Sequence, residues 1–324
     1  MHQWEHLIPF RHNKKEGFFD KTTGDVVIPP IYDGVRPFSE GRALFMKIED
    51  RYQKWGVLNE AGEEIQSAFY DYAKDYSEGL AAFSLGGIIW HYIDLDGNTV
   101  FSVRAYFAHP FSEGLALIKS LNGQWGYIGR DGGVRIACKY NLAEDFSDGF
   151  ALVMDDGNRA YLINREGETF MNDSKYYYYS YSEGLAALCE HGIEESDFIT
   201  IYHGSKFGYM DVNGAMVIPF YPYEEASFFS EGRAKVRMDL LYGFINREGR
   251  LVVPCEYHQA EPFHGGLSKV RKGGQYGFIN RQGEIIVPCE FHDANNCGSG
   301  VASVVFRGKE LFFNERGERI RILV

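Results

Sequence analysis

Cysteine is scarce and odd in number, five in 324 residues. A chain of this length can bury a core without disulfide staples, so the thiols are expected free, in a reducing cytoplasm. No run approaches 18 consecutive apolar residues, which excludes a membrane-spanning helix. The opening Met1-His2-Gln3-Trp4-Glu5-His6 has no basic stretch followed by an apolar one, so a secretory signal is not expected. Basic charge is in deficit: 33 Lys and Arg against 45 Asp and Glu leave a net charge of −12. Neutralising phosphates takes a basic surplus, so a nucleic-acid partner is not expected, nor is a membrane partner. No apolar period of 3.6 lasts for twelve residues, so helix content should be low. Also missing are the Gly-x-Ser-x-Gly elbow, the Walker loop, His-Glu-x-x-His and the dinucleotide fingerprint. Catalysis and a cofactor are therefore not expected.

What the chain has in excess is glycine, 37 residues, and aromatics, 16%, and both follow from a repeat. A phrase Phe-Ser-Glu-Gly-Leu-Ala recurs at Phe38, Tyr76, Phe111, Phe146, Tyr181 and Phe229, and decays at Phe263 and Cys297. Its glycines, 41, 79, 114, 149, 184, 232, 266 and 300, lie 38, 35, 35, 35, 48, 34 and 34 residues apart. A second phrase follows some fifteen residues on, as Trp55-Gly56, Trp125-Gly126, Phe207-Gly208, Tyr242-Gly243 and Tyr276-Gly277. Nine units result, beginning near His6, Gly41, Gly79, Gly114, Gly149, Gly184, Gly232, Gly266 and Gly300. They form a single repeat domain over residues 1–324.

Each unit reads as strands joined by tight turns. Leu115-Ala116-Leu117-Ile118-Lys119 leads through Asn122-Gly123, a hairpin signal, into Trp125-Gly126-Tyr127-Ile128. The next turn holds a glycine in every unit (Gly24, Gly62 and their equivalents) for its positive φ. It is entered by Asn or Asp in eight units, Gly129 being the exception, and that side chain can cap its own turn. A third strand such as Leu251-Val252-Val253 ends at proline, which cannot donate to a ladder, and the connecting segment has room for a short fourth strand.

This pattern resembles the WG repeat family, over essentially the whole chain from His6 to Val324. Three units depart at the second-phrase glycine, as Trp90-His91, Ala160-Tyr161 and Glu310-Leu311, which puts close backbone packing there in question. The resemblance implies bacterial repeat proteins with no shared catalytic residues. A three-stranded unit cannot bury both faces alone and must stack on its neighbours. The expected fold is all-β: nine tandem antiparallel β-meander units of about 35 residues in an open, twisted or superhelical stack, with a closed β-propeller as the alternative. Both sets of recurring aromatics, Trp55, Trp90, Trp125, Phe207, Tyr242 and Tyr276 with Phe38, Tyr76, Phe111, Phe146, Tyr181, Phe229 and Phe263, are expected to layer that core.

Several groups invite chemistry. Cys255-Glu256-Tyr257-His258 and Cys289-Glu290-Phe291-His292 offer thiols and imidazoles. Cys138, Cys255 and Cys289 nevertheless occupy the place of Pro30, a small apolar packing position, and no metal is expected. The recurrent acid Glu40, Glu78, Glu113, Asp148, Glu183 and Glu231 reads as a solvated turn residue, with a carboxylate ladder for a basic partner or cations as the alternative. Asp94-Leu95-Asp96-Gly97 matches only the start of a calcium loop and reads as a hairpin.

The break in the repeat is the best functional lead. Unit six is longer than its neighbours, the excess falling at about 190–203, after the run Tyr176-Tyr177-Tyr178-Tyr179. Insertions in repeat proteins map to loops, often on a binding face. Candidate binding residues are Glu190, His191, Glu194, Glu195, Asp197, Tyr176, Tyr177, Tyr178 and Tyr179, since tyrosine supplies contact area at low entropic cost. The expected function is a non-catalytic scaffold binding a protein or peptide. The alternative is a carbohydrate- or small-ligand-binding, or hydrolytic, propeller.

Overall fold

The computed structural model of the chain describes residues 3–190, 193–196, 199–202, 206–296 and 298–323. Within it the chain is all-β. Among the described residues, one 3-10 turn, Gln3–His6, precedes nine small antiparallel meander sheets, the first of three strands and the rest of four, with one further two-stranded sheet inserted within the sixth. The connecting segment does supply the fourth strand, as the first strand of the following sheet. It is two residues at Gly34–Val35 and Gln259–Ala260 and six or more at Phe107–Ser112 and Tyr176–Ser182. A four-stranded meander is the blade of a β-propeller, so the sheets fit the closed alternative as well. No helix among the described residues is long and apolar enough to cross a membrane.

The chain divides into two compact units, one of residues 1–146, 153–158 and 321–324, the other of 147–152 and 159–320. In the first, the end of the chain meets the first sheet, Leu323 donating its amide to the Gly24 carbonyl at 2.9 Å.

Turn chemistry follows the sequence closely. Asn59 Oδ1 accepts the amides of Ala61 and Glu63, and Asn164, Asp211, Asn246, Asn280 and Asn314 repeat the pattern. Asp94 caps its own turn likewise through Asp96 and Asn98. Where Gly129 interrupts the series, Asp131 accepts the Gly133 amide instead.

The Ser-Glu-Gly phrase does more than turn the chain. Ser39 and Arg42 exchange both backbone bonds, and the two residues between them, Glu40 and Gly41, have φ of 52° and 76°. A tight hairpin with two positive φ values favours Asn or Asp at its first central position, and a longer side chain there costs roughly 1–2 kcal/mol. The compensation lies one unit away. The Glu40 carboxylate accepts the amides of Glu78 and Gly79, both at 2.8 Å. Glu78 holds Gly114, Asp148 holds Gly184, Glu183 holds Gly232 and Glu231 holds Gly266. Ser39, Ser77, Ser112, Ser182 and Ser230 each donate to the carbonyl of the next unit's aromatic at 2.6–2.8 Å. A bond to a charged group contributes about 1.5–3 kcal/mol, enough to hold the strained turn. Five of the six recurrent acids, all but Glu113, thus do more than sit as solvated turn residues, and their carboxylates are bound to backbone amides rather than standing as a free ladder. Each of the five is a staple between consecutive units.

The two aromatic series divide. Those of the Ser-Glu-Gly phrase fill the core, from Phe229 at 0% to Phe38 at 9% exposed. Those of the second phrase are mixed: Trp90 and Phe207 are buried, but Trp55, Trp125, Tyr242 and Tyr276 are only half-buried, which corrects the expectation of a uniform aromatic core. The glycine after them serves a different need. Trp55 pairs with Tyr70 but Val57 with Gln66, so two residues of the middle strand span four of the third, which bulges toward Gly56. A Cβ on Gly56 would stand 2.5 Å from the Gln66 carbonyl oxygen, and on Gly277 2.5 Å from that of Val287. In the third unit, where His91 replaces glycine, Trp90, His91 and Tyr92 pair in step with Val103, Ser102 and Phe101. The departure is explained: without the bulge there is no crowding for glycine to relieve.

Candidate functional site

The insertion of unit six forms a hairpin of its own, Ile193–Ser196 paired with Ile199–Tyr202. Its root leaves the parent sheet undisturbed, since Glu190 still pairs with Lys206 across the two strands that flank it. Of the candidate residues, His191 and Asp197 lie outside the described residues, and Glu194 and Glu195 are placed on the first hairpin strand by backbone alone. Glu190 ends the strand Leu185–Glu190 opposite Tyr176. Lys175 Nζ sits 2.8 Å from its carboxylate and holds its pKa below the ordinary carboxylate value.

The tyrosine run is a strand, Tyr176–Ser182, and its side chains alternate between faces. Tyr178 is buried, its hydroxyl accepting the Asp173 amide at 2.9 Å. Tyr176 lies flat against Phe220, ring centroids 5.6 Å apart. Tyr177 and Tyr179 point the other way and stay exposed. The register therefore gathers Glu190 and the tyrosines at one end of one sheet, with two of the four tyrosines facing outward and two committed to packing.

The cysteines are packing residues. Cys138, Cys255 and Cys289 lie half-buried against three core clusters, and burial pushes all three thiols up. Among the described residues, no three or more His, Cys, Asp or Glu side chains converge as metal ligands.

Sequence reasoning missed the grooves between consecutive second-phrase aromatics. In the first compact unit a cleft of about 360 Å³ opens beside Trp55 and Trp90, walled by Arg36, Tyr72, Lys74 and Tyr106. In the second, a cleft of about 330 Å³ opens at the same positions of later repeats, beside Tyr242 and Tyr276, with Gln259 and Glu261 where the first has Tyr72 and Lys74. Aligning the units column by column is the signal that finds them.

The model of the WG containing repeat matches residues 17–52, 55–87, 90–124, 125–158, 207–239, 242–276 and 276–309, more than half of the chain. The chain belongs to the WG repeat family. No curated protein sequence matches it. Among solved structures, a eukaryotic initiation factor shares 12% identity at a TM-score of 0.59, with 87% of this chain and 84% of that one covered. BamB from Moraxella catarrhalis (9% identity, TM-score 0.44, 88% and 91% covered) and the WD40 β-propeller domain of Doa1 (10%, 0.36, 83% and 93%) are looser likenesses. Only the first is close enough to bear on the fold, and at that identity it speaks of fold alone. In WG repeat terms, the two clefts lie between the Trp-Gly aromatic of one repeat and that of the next. The hairpin interrupts the repeat just before Phe207-Gly208.

Proposed function

We propose that this WG repeat protein is a non-catalytic cytoplasmic scaffold that binds a protein or peptide partner, with the hairpin of unit six and the outward tyrosines beside it as the recognition element. The observation that carries the reading is the way the hairpin is set in. Its parent strands keep their pairing through Glu190 and Lys206, so the extra residues contribute nothing that the sheet requires. Beside it, Tyr177 and Tyr179 expose large amphipathic surface, 51% and 41%, of the kind that dominates protein interfaces. Long insertions cost little to close, so such a hairpin is a cheap place to add recognition.

The test is capture from native lysate by the wild-type chain, by a variant with residues 191–205 replaced by a two-residue turn, and by Tyr177→Ser/Tyr179→Ser. The expected result is a partner retained by wild type and lost from both variants, all three having the same melting temperature. The same proteins captured by all three would overturn the assignment.

A further inference from the structure

The cleft beside Trp90 is lined by hydrogen-bond donors and aromatic rings. Trp90 is 2% exposed, and its indole N–H has no hydrogen-bond partner. The polar side chains of this cleft are dominated by donors. Arg36, Lys74 and the two tryptophans can only donate, Tyr72 and Tyr106 can do both, and no carboxylate or amide side chain lines it. Its surface is otherwise aromatic: Tyr72 and Tyr106 are 53% and 47% exposed, and the Tyr72 and Trp90 rings stand 6.2 Å apart. Arg36 lies 4.6 Å over the Trp55 ring and 3.4 Å from Asp75, and Lys74 has no ion pair among the described residues.

The matching ligand offers acceptors and flat apolar faces and few donors. A sugar fits less well, because its hydroxyls need acceptors and among these side chains only the Tyr72 and Tyr106 hydroxyls can accept. A polyproline II segment fits well: proline has no N–H, its carbonyls are exposed acceptors, and its rings dock on aromatic walls with little entropy left to lose. We propose that this cleft binds a proline-rich peptide with an acidic flank, the proline rings packing on Tyr72, Tyr106 and Trp55 and Lys74 with Arg36 meeting the acid. This site is independent of the hairpin of unit six and goes beyond the reading given for it.

The test titrates acetyl-Pro-Pro-Pro-Pro-Pro-Pro-Asp-amide into the full chain, followed by tryptophan fluorescence, to which Trp55 and Trp90 report directly. The expected result is saturable binding, about tenfold weaker for the same peptide with alanine in place of proline and about tenfold weaker for Tyr72→Ala or Tyr106→Ala, surface changes that leave the fold intact. Lys74→Ala removes a cationic partner of the peptide's acid and should weaken binding about fivefold, whereas Tyr177→Ala and the hairpin deletion should bind as wild type does. The proposal is overturned by the absence of saturable binding, by equal binding of the alanine peptide, by Tyr72→Ala and Lys74→Ala binding as tightly as wild type, or by maltotriose saturating the cleft in the peptide's place.

Discussion

The clefts beside Trp90 and Tyr276 occupy the same columns of the repeat and differ in how far their own side chains satisfy them. In the later cleft, Lys269 pairs with Glu261 at 2.7 Å, the Tyr276 hydroxyl donates to Gln259 at 3.1 Å, and the Tyr242 hydroxyl donates to Glu225 at 3.0 Å. In the earlier one, Tyr72 and Lys74 stand where Gln259 and Glu261 stand, so the acceptors are gone and Trp90 is left with a buried, unpartnered donor. Both rest on consecutive units joined by the same kind of Ser and Glu staples, which involve backbone amides and carbonyls well away from these side chains. Because the units are held together elsewhere, the cleft side chains are free to differ. One groove can be closed on itself and another left open to a ligand without altering the sheets.

The floors of the two clefts differ as well, and this gives the largest expected effect. Beneath Tyr276 the third strand bulges, and a Cβ on Gly277 would meet the Val287 oxygen at 2.5 Å and the Cys289 nitrogen at 2.7 Å. Backbone atoms cannot rotate away as side chains do, so Gly277→Ala should destabilise by about 3 kcal/mol. Beneath Trp90 the strands pair in step, and His91, the residue at the equivalent position, makes one exposed bond to Ser102 at 2.8 Å. His91→Ala should cost less than about 1 kcal/mol. Urea unfolding of both variants decides it: similar shifts would mean that the bulge and the glycine are unrelated.

Much of this architecture was readable beforehand, for reasons that can be stated residue by residue. The Asn59 and Asp94 turns are local, their partners lying two and four residues on, so short-range chemistry suffices to see them. The role of Glu40 was not readable, because the amides it holds belong to Glu78 and Gly79 in the next unit. Nothing near Glu40 in sequence announces them. Three of the four tyrosines in the run were open to simple alternation, which sends Tyr178 inward and Tyr177 and Tyr179 outward, once that run is recognised as a strand. The cleft beside Trp90 was hidden because its defining feature is a missing acceptor, and an absence shows only when repeats are laid over one another.

A smaller effect concerns what holds the earlier cleft open. The turn containing Gly87, which lines it, is tied down at Gly86, whose amide donates to Asp71 at 2.8 Å, while Lys54 Nζ sits 2.6 Å from the same carboxylate. The later cleft has His258 in that column. The Lys54 bond and the Gly86 amide hold the Asp71 pKa below its ordinary value. A group depressed in the folded state stabilises it above the ordinary aspartate value of about 3.9 and loses that contribution as pH falls through the folded pKa. Asp71→Asn should therefore be less stable than wild type by under about 1 kcal/mol at neutral pH, the pair being partly exposed. That gap should stay flat down to about pH 4 and close below it. Urea midpoints for both chains across this range check the expectation, and a gap that changes between pH 6 and 7 would show that another group is titrating.

The smallest effect comes from converting one cleft toward the other. Gln259→Tyr/Glu261→Lys gives the later cleft the residues found at positions 72 and 74. It removes the ion pair between Lys269, 19% exposed, and Glu261, 50% exposed. It also removes the Tyr276 hydroxyl bond, which lies at an exposed position. Exposed ion pairs contribute little, and a tyrosine hydroxyl near the surface exchanges its partner for water, so the double variant should stay within about 1 kcal/mol of wild type by urea unfolding. It should still bind the proline peptide more weakly than the earlier cleft, because Tyr242 offers a smaller ring face than Trp55, its counterpart there. A loss well beyond 1 kcal/mol would mean that the later cleft is closed for stability, and that side chains at these positions are less free to vary than the open cleft beside Trp90 implies.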